Sequence, residues 1–286
     1  MKLLKELHYK QNRPIMKKII YNTLILNLIL INCYSQSLSF AKSKYVLTHH
    51  YDSLNFSNIQ EESFILILSE KHSLFKSLDK EIVDSIMKSN YNKTGIMMPV
   101  TDKKFTNEKI LFDFSSNEMV TTTLKTVGNF KTKRTFPEIN WDIKNISRKI
   151  MGFDCQQAIC EYHGRKFSVW FTNEIPIKAG PWKLVGLPGL IIEAEDETKS
   201  IQFKLISFEL SDKDKINIDL SEEEISWPEY LRLAKFMQDD PHAFMEQRLG
   251  KKFTVTPPME PMKRNPLLPS QRINFPLEAL EYYTQQ

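Results

Sequence analysis

The sequence predicts a mainly β (α+β) fold: an antiparallel sheet with a few helices, two of them in the C-terminal third. Three observations carry this. Short apolar or alternating runs recur between polar turn residues, which is the patterning of strands. Several neighbouring runs are joined by tight-turn residues. After residue 220 the strand pattern stops and two helix-opening signatures appear.

The elements follow in chain order. The segment 62–70 (ESFILILSE) is a short apolar run with polar ends and reads as a strand. Ser77 to Lys88 (SLDKEIVDSIMK) reads as a short helix. KILFDF and MVTTTLKTV form a hairpin around Ser115, Ser116 and Asn117. In AICEYHGRKFSVWFT, Ala158, Cys160 and Tyr162 share one face, and His163-Gly164 is a tight-turn pair. Phe167, Val169 and Phe171 share a face on the return strand, while Ser168, Trp170 and Thr172 point the other way. Residues 191–196 and 201–210 form a further hairpin across a polar ETKS turn. Ser226-Trp227-Pro228-Glu229 is a capping box that opens a helix. Asp240-Pro241 opens another, which Gly250 closes. Six of the fourteen prolines fall between 257 and 276, so the tail from about 254 is extended rather than a central strand or helix.

The N-terminus reads as a leader. From Met16, Lys17 and Lys18 precede an apolar stretch from Ile19 to Ile31, and Cys33-Tyr34-Ser35 offers small residues for cleavage near Ser35/Gln36. The apolar stretch is shorter than the roughly 20 residues a bilayer span needs. Leu30-Ile31-Asn32-Cys33 resembles a lipidation site, with Asn32 in the place of the usual small residue. The expected organisation is therefore 1–35 as N-terminal extension and signal peptide, then 36–286 as a single domain. Export to the periplasm or beyond follows, with outer-membrane association as one form of it.

Removing the leader changes the charge argument. The full chain has 39 basic and 35 acidic residues; residues 1–35 hold six of the former and one of the latter, which leaves 33 against 34, a net of −1. That balance gives no electrostatic footprint for nucleic acid. Beyond the leader the cysteines are Cys155 and Cys160. In extended chain their separation of about 16 Å exceeds the roughly 7 Å limit for a disulfide. Free buried thiols are the favoured reading, and a strained local disulfide is the alternative.

The glycine-rich stretch 178–196 (KAGPWKLVGLPGLIIEAED) is the densest signal. Its glycine spacing fits neither dinucleotide nor phosphate loops. Turn chemistry explains it better: Leu187-Pro188-Gly189 sets up a type II turn with positive φ at Gly189, Gly180-Pro181 bends the chain earlier, and Gly186 precedes the turn. Trp182 and Leu184 are the apolar residues this corner can bury. The corner is read either as structural or as a rigid loop lining a groove.

These residues carry a resemblance. Gly152, Cys155, Ala158, Gly164, Arg165, Trp170, Phe171, Thr172, Ile175, Pro176, Gly180, Pro181, Trp182, Lys183 and Gly186 to Ile191 resemble the pattern of the GLPGLI family of secreted Bacteroidetes-type proteins. That family has no established activity. Its members are often encoded near TonB-dependent receptors, which implies an envelope role. The strand order is also similar to the outer-membrane lipoprotein carriers, which implies a curved half-barrel with an apolar concave face.

No enzyme motif emerges. His49, His50, His72, His163 and His242 lack metal-ligand spacing, and there is no G-x-S-x-G. No cofactor, metal or catalytic residue is assigned. The leading expectation is a non-catalytic binder of an apolar or lipid-like ligand, with Arg165, Trp170, Phe171, Trp182 and Lys183 at the site. Arg165 would hold an anionic head group. The alternatives are an interaction module docking on an outer-membrane (TonB-dependent type) receptor and an unrecognised hydrolase. The sequence does not fix an oligomeric state.

Overall fold

The computed structural model describes residues 37–250, except 39, 51–58, 97–99, 102, 104, 126–127, 212–214, 217–221, 241–242, 245 and 248–249. The expected leader and Pro-rich tail lie outside the described residues, as does His242.

Fourteen strands and two helices are described. In the first half of the chain come β1 (Ser37–Leu38), β2 (Ala41–His50), β3 (Ile59–Leu68), β4 (His72–Ser77), α1 (Leu78–Thr94), β5 (Glu108–Asp113), β6 (Glu118–Lys125) and β7 (Gly128–Thr135). In the second half come β8 (Asp142–Ile150), β9 (Phe153–Tyr162), β10 (Arg165–Thr172), β11 (Leu190–Asp196), β12 (Ile201–Leu210), β13 (Lys215–Ile216), β14 (Glu223–Glu224) and α2 (Trp227–Asp239). Strands β1 and β13 form a separate pair; the other twelve form one sheet, ordered β14-β7-β6-β5-β4-β3-β2-β12-β11-β10-β9-β8. Every neighbour in it is antiparallel except β14 on β7, so the sheet is mixed at one edge.

This order is two meanders joined at a seam. One runs outward from β2 to β7, the other from β12 back to β8, and β2 pairs with β12 along nine register positions from Ala41↔Leu210 to His49↔Ile201. The sheet must curl. Laid flat, the ten strand spacings from β7 to β8 would separate those strands by about 48 Å. The connection from Thr135 to Asp142 spans seven residue steps and reaches at most about 25 Å. Residues from β6 (Met119) and β9 (Cys155), far apart in the strand order, accordingly share one core cluster. Strands β14 and β8 remain unpaired with each other, so the sheet is not closed.

The interior of the curl is occupied. Ile175, Ala179, Trp182, Leu184, Val185 and Leu187, from the connection between β10 and β11, are buried in that same cluster. The connection is an Ω-type loop whose ends are pinned: Leu190 N–H donates to the Ile175 carbonyl at 3.0 Å and Ile191 N–H to the Ala179 carbonyl at 3.0 Å. Tyr45 donates its hydroxyl proton to the Ile191 carbonyl at 2.6 Å, fastening the loop's exit to β2.

Most local expectations hold. The hairpins β5–β6, β9–β10 and β11–β12 form where turn chemistry places them. His163 and Gly164 both take positive φ, as a tight hairpin turn needs. Ser226 caps α2, its hydroxyl accepting from Glu229 N–H. The second C-terminal helix is described in part: Asp240 accepts from Ala243 N–H at 2.9 Å, and Gly250 has φ of +62°. Cys155 and Cys160 are free and buried.

Four expectations are corrected. The helix at Ser77 runs on to Thr94, because Ser77 is its cap and Gly95 supplies the left-handed stop. Thr172 is buried rather than on the outer face, because a bulge between Trp170 and Phe171 shifts the register against β11. Gly189 is not among the residues with positive φ; that conformation belongs to Gly186, at +100°. Gly189 is glycine for proximity, since a Cβ there would lie 1.8 Å from the Thr172 carbonyl oxygen. The concave face implied to be open is instead filled by the Ω-type loop.

Candidate functional site

The residues singled out in the sequence divide by position. Phe171 and Trp182 are core residues, 1% and 3% exposed. Trp182 has φ of +55° and packs edge-on to Tyr162 with ring centres 5.7 Å apart. Lys183 is fully buried, its Nζ 3.4 Å from Glu108 Oε1 of β5. This pair ties the loop to a strand well removed from β10 and β11 in the sheet order. Arg165 donates to Asp196 Oδ2 at 2.9 Å, while the same carboxylate accepts from Thr198 Oγ1 at 2.7 Å and from Ile201 N–H at 2.9 Å. It therefore joins the β9–β10 turn to the β11–β12 turn. Trp170 is half-buried on the other face of the sheet, with the Arg148 guanidinium 4.1 Å above its ring. Arg148 also pairs with Glu193. These five residues are not brought together at one opening.

A groove of about 620 Å³ lies beside the loop instead. Three segments wall it: the β5–β6 turn with Phe114 and Asn117, the β7–β8 connection with Thr135 to Glu138, and the Ω-type loop with Pro176 to Lys178, Val185 and Gly186. Glu70, from the β3–β4 turn, completes the lining. Phe136 sits edge-on to Phe112 and Phe114, at 5.0 and 5.8 Å between ring centres. Two hydrogen bonds lock the walls together. Phe136 N–H donates to the Asn117 carbonyl at 3.2 Å, and Trp141 Nε1–H donates to the Val185 carbonyl at 2.9 Å. Gly186 lies under the Trp141 indole, where an added Cβ would sit 3.6 Å from Nε1. Of the expected turn residues, Gly186 reaches the groove, while Gly180 packs against Ile191 and the Leu184 carbonyl.

The groove can hold a ligand that presents apolar faces to Phe114, Phe136, Pro137 and Pro176 while its polar groups meet Glu70, Asn117, Thr135, Glu138 and Lys178. Among the described residues there is no group of three or more His, Cys, Asp or Glu arranged to hold a metal. Burial pushes the Cys155 thiol up to about 11 and the Cys160 thiol up to about 12, so both stay protonated at neutral pH and are poor nucleophiles.

Residues 50–218 match the family model described as N-glycanase peptide, N-terminal domain, of the PNGase F-II type. The chain belongs to this family. The match covers β3 to β13, hence the Ω-type loop and every wall of the groove. It takes the place of the GLPGLI family and of the lipoprotein-carrier half-barrel expected from the sequence. The Gly186–Ile191 motif is present, but here it is part of the loop that fills a larger folded sheet. Among solved structures, this N-glycanase-type domain is similar to PNGF-II in a P21 space group, at 17% identity with a TM-score of 0.49, over 67% of this chain and 32% of that one. PNGF-II in a C2 space group matches at 15% identity and a TM-score of 0.47, over 66% and 32%. The chain thus spans about a third of the length of those structures. A comparison with curated proteins gives no match.

The groove residues were not legible as a site. Phe136, Pro137 and Trp141 lie in TFPEINW, between two strands that the apolar pattern does not reveal. An aromatic- and proline-rich connection of this kind was the available signal.

Proposed function

We propose that the chain is an exported, non-catalytic binding module whose groove takes a carbohydrate chain of the kind carried by glycoproteins. The carrying observation is the groove itself: aromatic and proline faces set among carboxylate, amide, hydroxyl and ammonium groups. Sugar rings have that same division, with C–H faces that pack on aromatic and proline rings and hydroxyls that both donate and accept. An acyl chain asks for an enclosed apolar tunnel, and the apolar interior next to the groove is filled by the loop. Membership of an N-glycanase N-terminal family agrees with a glycan ligand, and the leader-like residues 1–35 agree with export.

The test is calorimetric titration of the chain with an asparagine-linked oligosaccharide on a short peptide, alongside a fatty acid. Saturable binding of the glycopeptide, abolished by Pro176→Trp on the exposed wall, is expected. Saturable binding of the fatty acid alone would overturn the reading in favour of a lipid binder.

A further inference from the structure

We infer that the groove selects uncharged oligosaccharides and discriminates against those that carry carboxylate or sulfate groups. This rests on the reading of the groove as a carbohydrate site. Its charged lining is Glu70 and Glu138 against Lys178, a net of −1, and all three are exposed. The two carboxylates stand on different walls, one on the β3–β4 turn and one on the β7–β8 connection, so an anion drawn to Lys178 still meets a carboxylate on another wall. At the edge, Glu118, paired in register with Thr135, and Lys71, which follows Glu70 and accepts the Phe114 N–H through its carbonyl, are of opposite sign and leave the balance at −1. The rings of Phe114 and Phe136 turn partly negative π faces to their surroundings. Among the described lining residues there is no arginine, the side chain that binds carboxylate or sulfate through two parallel hydrogen bonds. Within the lining Lys178 alone attracts an anion, and the two carboxylates outweigh it, while a neutral hydroxyl can donate to either carboxylate.

The experiment compares two forms of one glycopeptide, uncapped and terminated with sialic acid, against the full chain at low and high ionic strength. The neutral form should bind about three- to fivefold tighter at low salt, as expected for one net repulsive charge near a water-exposed rim. The gap should close at high salt and in Glu70→Gln/Glu138→Gln, whose exposed positions leave the core untouched. Equal or tighter binding of the sialylated form at low salt would overturn the selectivity while leaving carbohydrate binding in place. Failure of both forms to bind would overturn the carbohydrate reading and the selectivity with it.

Discussion

Gly189→Ala tests the account of the loop most sharply. In the wild type, a Cβ at this position would fall 1.8 Å from the Thr172 oxygen, 2.6 Å from its carbonyl carbon and 3.1 Å from Asn173 Cα. All three are backbone atoms, so no rotamer change relieves the clash. Reaching ordinary contact at 3.4 Å means opening the junction by 1.6 Å. That movement separates Leu190 from Thr172, its partner in the ladder, and stretches the Leu190 N–H bond to the Ile175 carbonyl. Overpacking of a buried site costs about 1–3 kcal/mol and a lost buried hydrogen bond about 1–2 more, so about 4 kcal/mol is expected. For a domain of this size that lowers Tm by about 8–16 °C. The assay is paired thermal and urea unfolding of Gly189→Ala and Gly186→Ala. At Gly186 the added Cβ meets only the Trp141 ring at 3.6 Å or more, so the cost is the positive φ, about 1–2 kcal/mol. If Gly189→Ala melted within a degree or two of the wild type, or no lower than Gly186→Ala, the close approach would be wrong.

Trp141→Phe removes the donor to the Val185 carbonyl and should cost about 1–2 kcal/mol in urea unfolding. It should also weaken groove binding, whereas Leu210→Ser, on the exposed end of β12 and outside the groove lining, should leave binding unchanged in the same titration. Asp196→Ala strips three donors of their shared acceptor and should destabilise by about 3 kcal/mol, measured by the same unfolding curves. Because burial raises both thiols above their ordinary value of 9.0, their contribution to stability is complete below pH 9 and is lost as pH rises towards about 11 to 12. Cys155→Ala/Cys160→Ala should therefore flatten the alkaline limb of a stability–pH curve, and an unchanged limb would contradict this. Alkylation at pH 8 should modify neither cysteine in the native protein and both in denaturant.

The hairpins were readable because each short stretch declares itself. His163-Gly164 must turn, and Phe167, Val169 and Phe171 must face one side. The seam between β2 and β12 was not readable, since no local pattern records that Tyr45 will face Leu205 across the sheet. Strand β8 was missed for a different reason. It is an edge strand with little buried surface, so DIKNISRKI carries no apolar alternation to detect. The glycine-rich motif is recognisable as a corner but not in its detail. Sequence can nominate Gly189 for a positive φ, yet its real constraint is a carbonyl seventeen residues earlier. Lys183 and Arg165 read as binding groups because charge inside an apolar motif invites a ligand. Their partners, Glu108 and Asp196, lie 75 and 31 residues away in the chain, and only the folded sheet shows them.

The β2–β12 seam also sets an order of events during synthesis. The first meander can assemble as it emerges, but its innermost strand then presents a ten-residue edge with no neighbour until residues 201–210 arrive. Pairings at such sequence separation form slowly, and an open ladder is a template for other chains. For the export proposed above, the consequence is that the central pairing waits for the last third of the chain, and the step that completes it is also the one that covers the open edge of β2.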